Sequence, residues 1–155
     1  VTTLVTSIRD GILEELLARL KALPGYHVER RARGEGDANH KKMALLLGGD
    51  ETVQGVNNVL TTKEMTVEVL VQVRAEDAPA ELAKNAERYL DAEMAIVERA
   101  LFTPLWLTNR EQLEPLGVFL RIDPDSNLMR GVIQLSVVYR HNNGDPTKFD
   151  GSFAG

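Results

Sequence analysis

Residues 118–146 (VFLRIDPDSNLMRGVIQLSVVYRHNNGDP) hold two strand-like runs around a turn, and they constrain the fold more than any other stretch. Between residues 132 and 140 the side chains alternate: Ile133, Leu135, Val137 and Tyr139 share one face, Gln134, Ser136 and Arg140 the other. β-Branched and aromatic residues suit a half-buried strand. The turn formers Asp123, Pro124, Asp125, Ser126 and Asn127 separate the runs, and the group from His141 to Pro146 is expected to stop the second. A strand this regular is expected in the body of a sheet that the earlier elements cover.

A second run repeats the pattern. Within residues 62–74, Met65, Val67, Val69, Val71 and Val73 face one way and Thr66, Glu68, Gln72 and Arg74 the other. Such a sheet has one covered face and one wetter face. The cover comes from two helical patterns. Ile8, Ile12, Leu16, Leu20 and Leu23 recur at helical spacing behind a Thr6 or Ser7 cap, and Pro24-Gly25 ends that helix. The second helix is expected to start near Asp77-Ala78-Pro79 and run to Leu101, with Leu82, Ala86, Tyr89, Leu90, Ile96, Val97 and Leu101 inward and its carboxylates in solvent. Short strands are expected at residues 26–31 and 43–47, the latter closed by Gly48-Gly49-Asp50, and residues 103–116 read as irregular. The fold class is α+β: a mainly antiparallel or mixed sheet of four to five strands with both helices on one face. Residues 1–141 are expected to form one domain, with residues 142–155 a flexible C-terminal arm.

The 155 residues include no cysteine, which removes disulfides, zinc-thiolate sites and thiol nucleophiles. No apolar run approaches the ~20 residues of a membrane span. A net charge of −5 argues against general affinity for nucleic acid. Against that background residues 30–42 (RRARGEGDANHKK) stand out with a local charge of +3. They read as a solvated hairpin loop or as a loop that binds a partner through Arg31, Arg33, Lys41 and Lys42.

Sites for chemistry are scarce. Asp123, Asp125 and Asn127 match the start of a calcium loop, but Leu128 stands where glycine is needed and Gln134 where the bidentate glutamate is needed. The glycine pairs lack the Gly-Lys-Ser/Thr ending of a phosphate loop. His27, His40 and His141 read as surface residues, and Trp106 as core filler. No catalytic set, metal site or cofactor site is expected.

The order of elements resembles the tail terminator, or tail completion, proteins of long-tailed bacteriophages, a class of minor tail protein. The segments that carry the resemblance are SIRDGILEELLARLKAL, LLLGGDET, MTVEVLVQV, ELAKNAERYLDAEMAIVERAL and VIQLSVVYRHNNGDPT, above all Tyr139-Arg140 followed by Asp145-Pro146. The resemblance implies a non-enzymatic virion protein, assembled in the host cytoplasm. Its subunits would form a homo-oligomeric ring, commonly a hexamer, on the head-proximal end of the tail tube. The ring stops tube polymerisation, meets the head-completion or connector protein, and lets DNA pass without specific binding. Arg140 and Asp145 would then make partner contacts, and Phe149 and Phe153 would anchor the arm on a neighbouring subunit or on the tube. Two other classes compete: a small nucleic-acid-binding module, which the acidic second helix disfavours, and a ligand-binding α+β domain with a pocket on the sheet.

Overall fold

A computed structural model describes residues 5–31, 40–81, 85–109, 111–122 and 127–149. The elements are α1 (Ile8–Lys21), β1 (His27–Arg31), β2 (Lys42–Val56), β3 (Leu60–Arg74), a 3-10 turn (Ala75–Asp77), α2 (Ala86–Phe102), β4 (Leu113–Ile122) and β5 (Leu128–Asn142). One five-stranded sheet runs in the order β1-β2-β3-β5-β4. β1 is parallel to β2 and every other pair is antiparallel, so this is a mixed α+β fold. The terminal strand lies inside the sheet, as its pattern predicts.

The alternation in β3 and β5 builds the floor of the core. Met65, Val67, Val69, Val71 and Val73 are fully buried, as are Leu135 and Val137, and Ile12, Leu13, Leu16, Leu20, Tyr89, Leu90, Met94, Val97 and Leu101 of the two helices complete the same cluster. Both helices therefore cover one face. Ser7 caps α1, its Oγ accepting from the Asp10 amide at 3.0 Å. At the other end Gly25, with φ of +79°, supplies the left-handed turn out of the helix. Two glycines on the floor let the helices come close. A Cβ on Gly48 would stand 2.8 Å from the Arg9 guanidinium, and one on Gly131 would stand 2.6 Å from the Met94 sulfur.

Several elements depart from the sequence reading. Gly48-Gly49 does not close the second strand. β2 continues to Val56, with register shifts between Gly48 and Glu51 and between Val53 and Gly55, so the glycines mark a bulge and not a stop. β1 and β2 run parallel, so they are not the two arms of the expected hairpin. α2 starts at Ala86, capped by Asn85, whose Oδ1 accepts from the Arg88 amide at 3.2 Å. Asp77 instead ends the 3-10 turn, its carboxylate accepting from Arg74 Nε at 3.1 Å. The inward face of α2 carries Glu93 and Met94, while Ile96 is exposed; Leu82 lies outside the described residues. Residues 113–116 open β4, and Leu107, not Trp106, fills the core at that corner. Trp106 is 55% exposed, its backbone held by Arg19, which donates to the carbonyls of Leu101, Pro104 and Trp106 at 2.6, 2.6 and 2.9 Å. His141 is buried, contrary to its surface reading.

The chain does not leave the body at residue 142. Asn142 N–H donates to the Lys148 carbonyl at 2.7 Å, Asn143 N–H to Val59 at 2.9 Å, and Ile8 N–H to Pro146 at 3.0 Å. Residues 143–148 are thus tied to the start of α1 and to the β2–β3 turn.

The bulge predicts an asymmetric response to alanine. At Gly49 an added Cβ would lie 2.5 Å from the Thr66 carbonyl oxygen, an atom fixed in the β3 backbone, whereas at Gly55 nothing lies within 4 Å. Gly49→Ala is expected to cost about 1–3 kcal/mol and Gly55→Ala to stay within about 0.5 kcal/mol of the parent. Urea unfolding of the two variants measures the difference.

Candidate functional site

The structure separates the residues expected to bind partners. Arg31 ends β1 opposite Leu47, while Lys42 begins β2 at the other end of the same ladder. Arg31 is ion-paired with Glu29 of its own strand. Glu29 is held below the usual carboxylate range by hydrogen bonds from His27 and Arg31. Lys42 lies 5.5 Å above the Tyr26 ring and 3.2 Å from the Glu93 carboxylate. Tyr26 in turn donates to Glu93 at 2.5 Å. Burial, then that bond, pushes the Tyr26 hydroxyl far above its ordinary range. Lys42 therefore closes an internal cluster between α2 and the sheet, and Lys41 beside it is exposed. Arg33 and Phe153 lie outside the described residues. The basic residues that are described do not form one patch.

Arg140 and Phe149 come together instead. They line a cleft of about 750 Å³ at the end of β5, with Asn109, Glu111, Gln112, Glu114, Ser136, Val138 and Tyr139. The cleft exists because β4 is shorter than β5. The β4 ladder starts at Leu113 opposite Val137, so the last residues of β5 have no described strand beside them on that side. Residues 105–109 and 111–113 form the opposite wall through the Leu113 to Leu105 and Leu107 to Glu111 backbone bonds, at 2.8 and 2.9 Å. The turn at residues 143–148 closes the end. There Asp145 accepts from the Thr147 amide at 3.0 Å and from its hydroxyl, and these bonds hold its carboxyl below the usual range. Asp145 shapes the turn and is not part of the cleft lining.

The lining is mixed in character. Val138 and Phe149 are the apolar members, each more than a third exposed. Glu111, Glu114 and Arg140 are its charged members, and none of the three forms an ion pair with another described residue. Ser136 sits at the floor, 1% exposed, and its Oγ has no hydrogen-bond partner. Beside the cleft a smaller depression of about 360 Å³ reaches the first turn of α1, lined by Ser7, Gly11, Glu15 and Thr108 among others. Glu111, Glu114 and Ser136 were not legible as site residues, because only the unequal lengths of β4 and β5 bring them together.

Ser136 and His141 are an odd number of residues apart on β5 and project to opposite faces, so they do not form a nucleophile–base pair. His141 Nδ1 is 2.8 Å from the Asn142 carbonyl, and its buried Nε2 has no partner. No group of three metal-ligating side chains occurs among the described residues. Of the calcium-like positions, Asp123 and Asp125 lie outside the described residues, and Asn127 Oδ1 accepts from the Glu76 amide at 3.2 Å. No helix among the described residues is long and apolar enough to cross a membrane.

No protein-family model matches the chain, and no curated protein matches its sequence.

Tyr139 links the cleft wall to the core. Its hydroxyl donates to Glu51 at 2.5 Å, and Glu51 also pairs with Arg9 at 2.7 Å and Lys63 at 3.7 Å. Burial first, then this bond, raises the Tyr139 hydroxyl well above its ordinary value of 10.0. The folded chain keeps this proton at pH values where the unfolded chain has lost it. The resulting stability is complete below pH 10 and declines as pH rises above it. Tyr139→Phe is expected to cost about 1.5 kcal/mol at neutral pH and to flatten part of the alkaline decline. Urea midpoints from pH 8 to about 11 provide the check.

Proposed function

We propose that this chain is a tail terminator subunit. It caps the head-proximal end of a phage tail tube as a ring, stops tube growth and presents a surface to the head-completion protein. The observation that carries this reading is a pair of strand edges, on opposite sides of one sheet, that no other described strand covers. On one side β4 ends the sheet with Leu116 and Phe119 exposed at 49% and 56%. On the other, β1 covers β2 only as far as Leu47, and the rest of β2 carries Val53 and Val56 at 59% and 66%. Open edges bearing apolar side chains are a liability unless something covers them. A contact between two different edges is head-to-tail and closes into a ring when the rotation per subunit divides a full turn.

Strand directions suit such a ring. β2, β3, β5 and β4 alternate in direction, so β4 of one subunit and β2 of the next meet antiparallel around an axis along the strands. The net charge of −5 suits a ring that duplex DNA passes without adhering, because a basic lining would hold the phosphates. The expected ring is a hexamer in the tail of a virion, a protein without enzymatic activity or cofactor.

Electron microscopy of the purified chain, alone and mixed with the polymerising tube protein of its own source, tests the reading. Rings and tubes of arrested length are expected. A monomer at every concentration, with tubes that grow unimpeded, contradicts it. Phe119→Glu on the β4 edge is expected to abolish rings while changing monomer stability by no more than about 0.5 kcal/mol.

A further inference from the structure

We infer that the cleft at the end of β5 receives a short extended peptide segment of a partner protein, one that brings a basic side chain to Glu111 and Glu114. This goes beyond the ring and does not depend on it.

The first argument is an interrupted ladder. In an antiparallel strand alternate residues direct N–H and C=O to the same side. Asn143 N–H points toward the β2–β3 turn and bonds Val59, while Asn142 N–H points the other way and bonds Lys148 at 2.7 Å. Ser136, in the same phase as Asn142, is matched by Glu114 of β4. Val138 and Arg140 lie between them in that phase, and β4 does not reach them. Among the described residues no strand pairs with their four backbone groups on that side, and these face the cleft with strand spacing. An extended peptide satisfies such groups, as in strand addition to an open edge. The volume of about 750 Å³ falls within the ~300–1,000 Å³ of ligand clefts.

The second argument is the floor. A buried hydroxyl without a partner is uncommon in folded proteins, and Ser136 Oγ is one. It can donate to a carbonyl of an entering segment, which would relieve a group that is now desolvated and unpaired. The third argument is charge. Glu111 and Glu114 outnumber Arg140 in the lining, so a phosphate or nucleic-acid strand is repelled, and a lysine or arginine side chain is matched. Arg140 is left for a carboxylate or carbonyl at the other end of the segment. Val138 and Phe149 supply apolar contact for the residue between.

The test uses the full chain labelled with nitrogen-15 and the probe acetyl-Thr-Lys-Val-Lys-Thr-amide. Saturable shifts are expected at the amides of Val138, Arg140 and Phe149. The Glu111→Gln, Glu114→Gln double variant is expected to bind at least about fivefold more weakly. Neither carboxylate is bonded to another described residue, so shifts of the variant's own spectrum are expected to stay near residues 111 and 114. The probe N-methylated at its central valine is expected to lose at least about tenfold, because it cannot donate to the strand. The inference is overturned if no saturable shift occurs at Val138 and Arg140 up to about 5 mM probe. Equal binding by the N-methylated probe overturns it too, as does equal binding by acetyl-Thr-Glu-Val-Glu-Thr-amide.

Discussion

The pairing of β3 with β5 is the constraint on which the molecule depends. Fifteen consecutive positions match, from Leu60 opposite Asn142 to Arg74 opposite Leu128, without a register shift. The side-chain period of a strand is two, so a slip of one residue would turn Met65, Val67, Val69, Val71 and Val73 from the core to solvent. Burying those side chains together with Ile133, Leu135 and Val137 fixes the register. β2 and β4 then take their positions from this central pair, and both of them, unlike it, contain bulges.

Carboxylates then tie the helices to the sheet. Glu51 of β2 gathers Arg9 of α1, Lys63 of β3 and Tyr139 of β5. Glu93 of α2 gathers Lys42 and Tyr26 at the far end of the same face. Each carboxylate receives charged and neutral donors at once, which offsets the cost of its partial burial. Between them Arg19 uses its planar fork on three carbonyls at the end of α2 and in the segment beyond it. Hydrophobic contact brings the layers together, and these three polar groups set how they sit.

The parts of the fold visible in the sequence were those governed by local period. β3, β5 and α1 followed from alternation, helical spacing and the Ser7 cap. Where the sequence misled, longer-range matching had decided the outcome. Gly48-Gly49 carries the local signature of a stop, but β3 continues beside it and holds β2 extended. Asp77 has the chemistry of a cap, but it ends the 3-10 turn and bonds Arg74. Glu93 belongs by composition to a solvent face, and Tyr26 and Lys42, distant in sequence, make it an interior residue. For the candidate site, Arg140 and Phe149 were named from the end of the chain, and they do line one cleft. Glu111, Glu114 and Ser136 could not be named, because their meeting depends on where β4 begins relative to β5.

The strand order also governs what happens while the chain is being made. β5 follows the other four strands of the sheet in the chain, yet it lies between β3 and β4 and covers the inner edge of both. Until it arrives, β3 has a bare edge along its full length, and the floor under the helices is incomplete. The first amide of α1 waits longer still, since its acceptor is the carbonyl of Pro146. A sheet built this way has high contact order and closes only after β5 has emerged. During that interval β3, with its row of valines, is the stretch most prone to pair with another nascent chain.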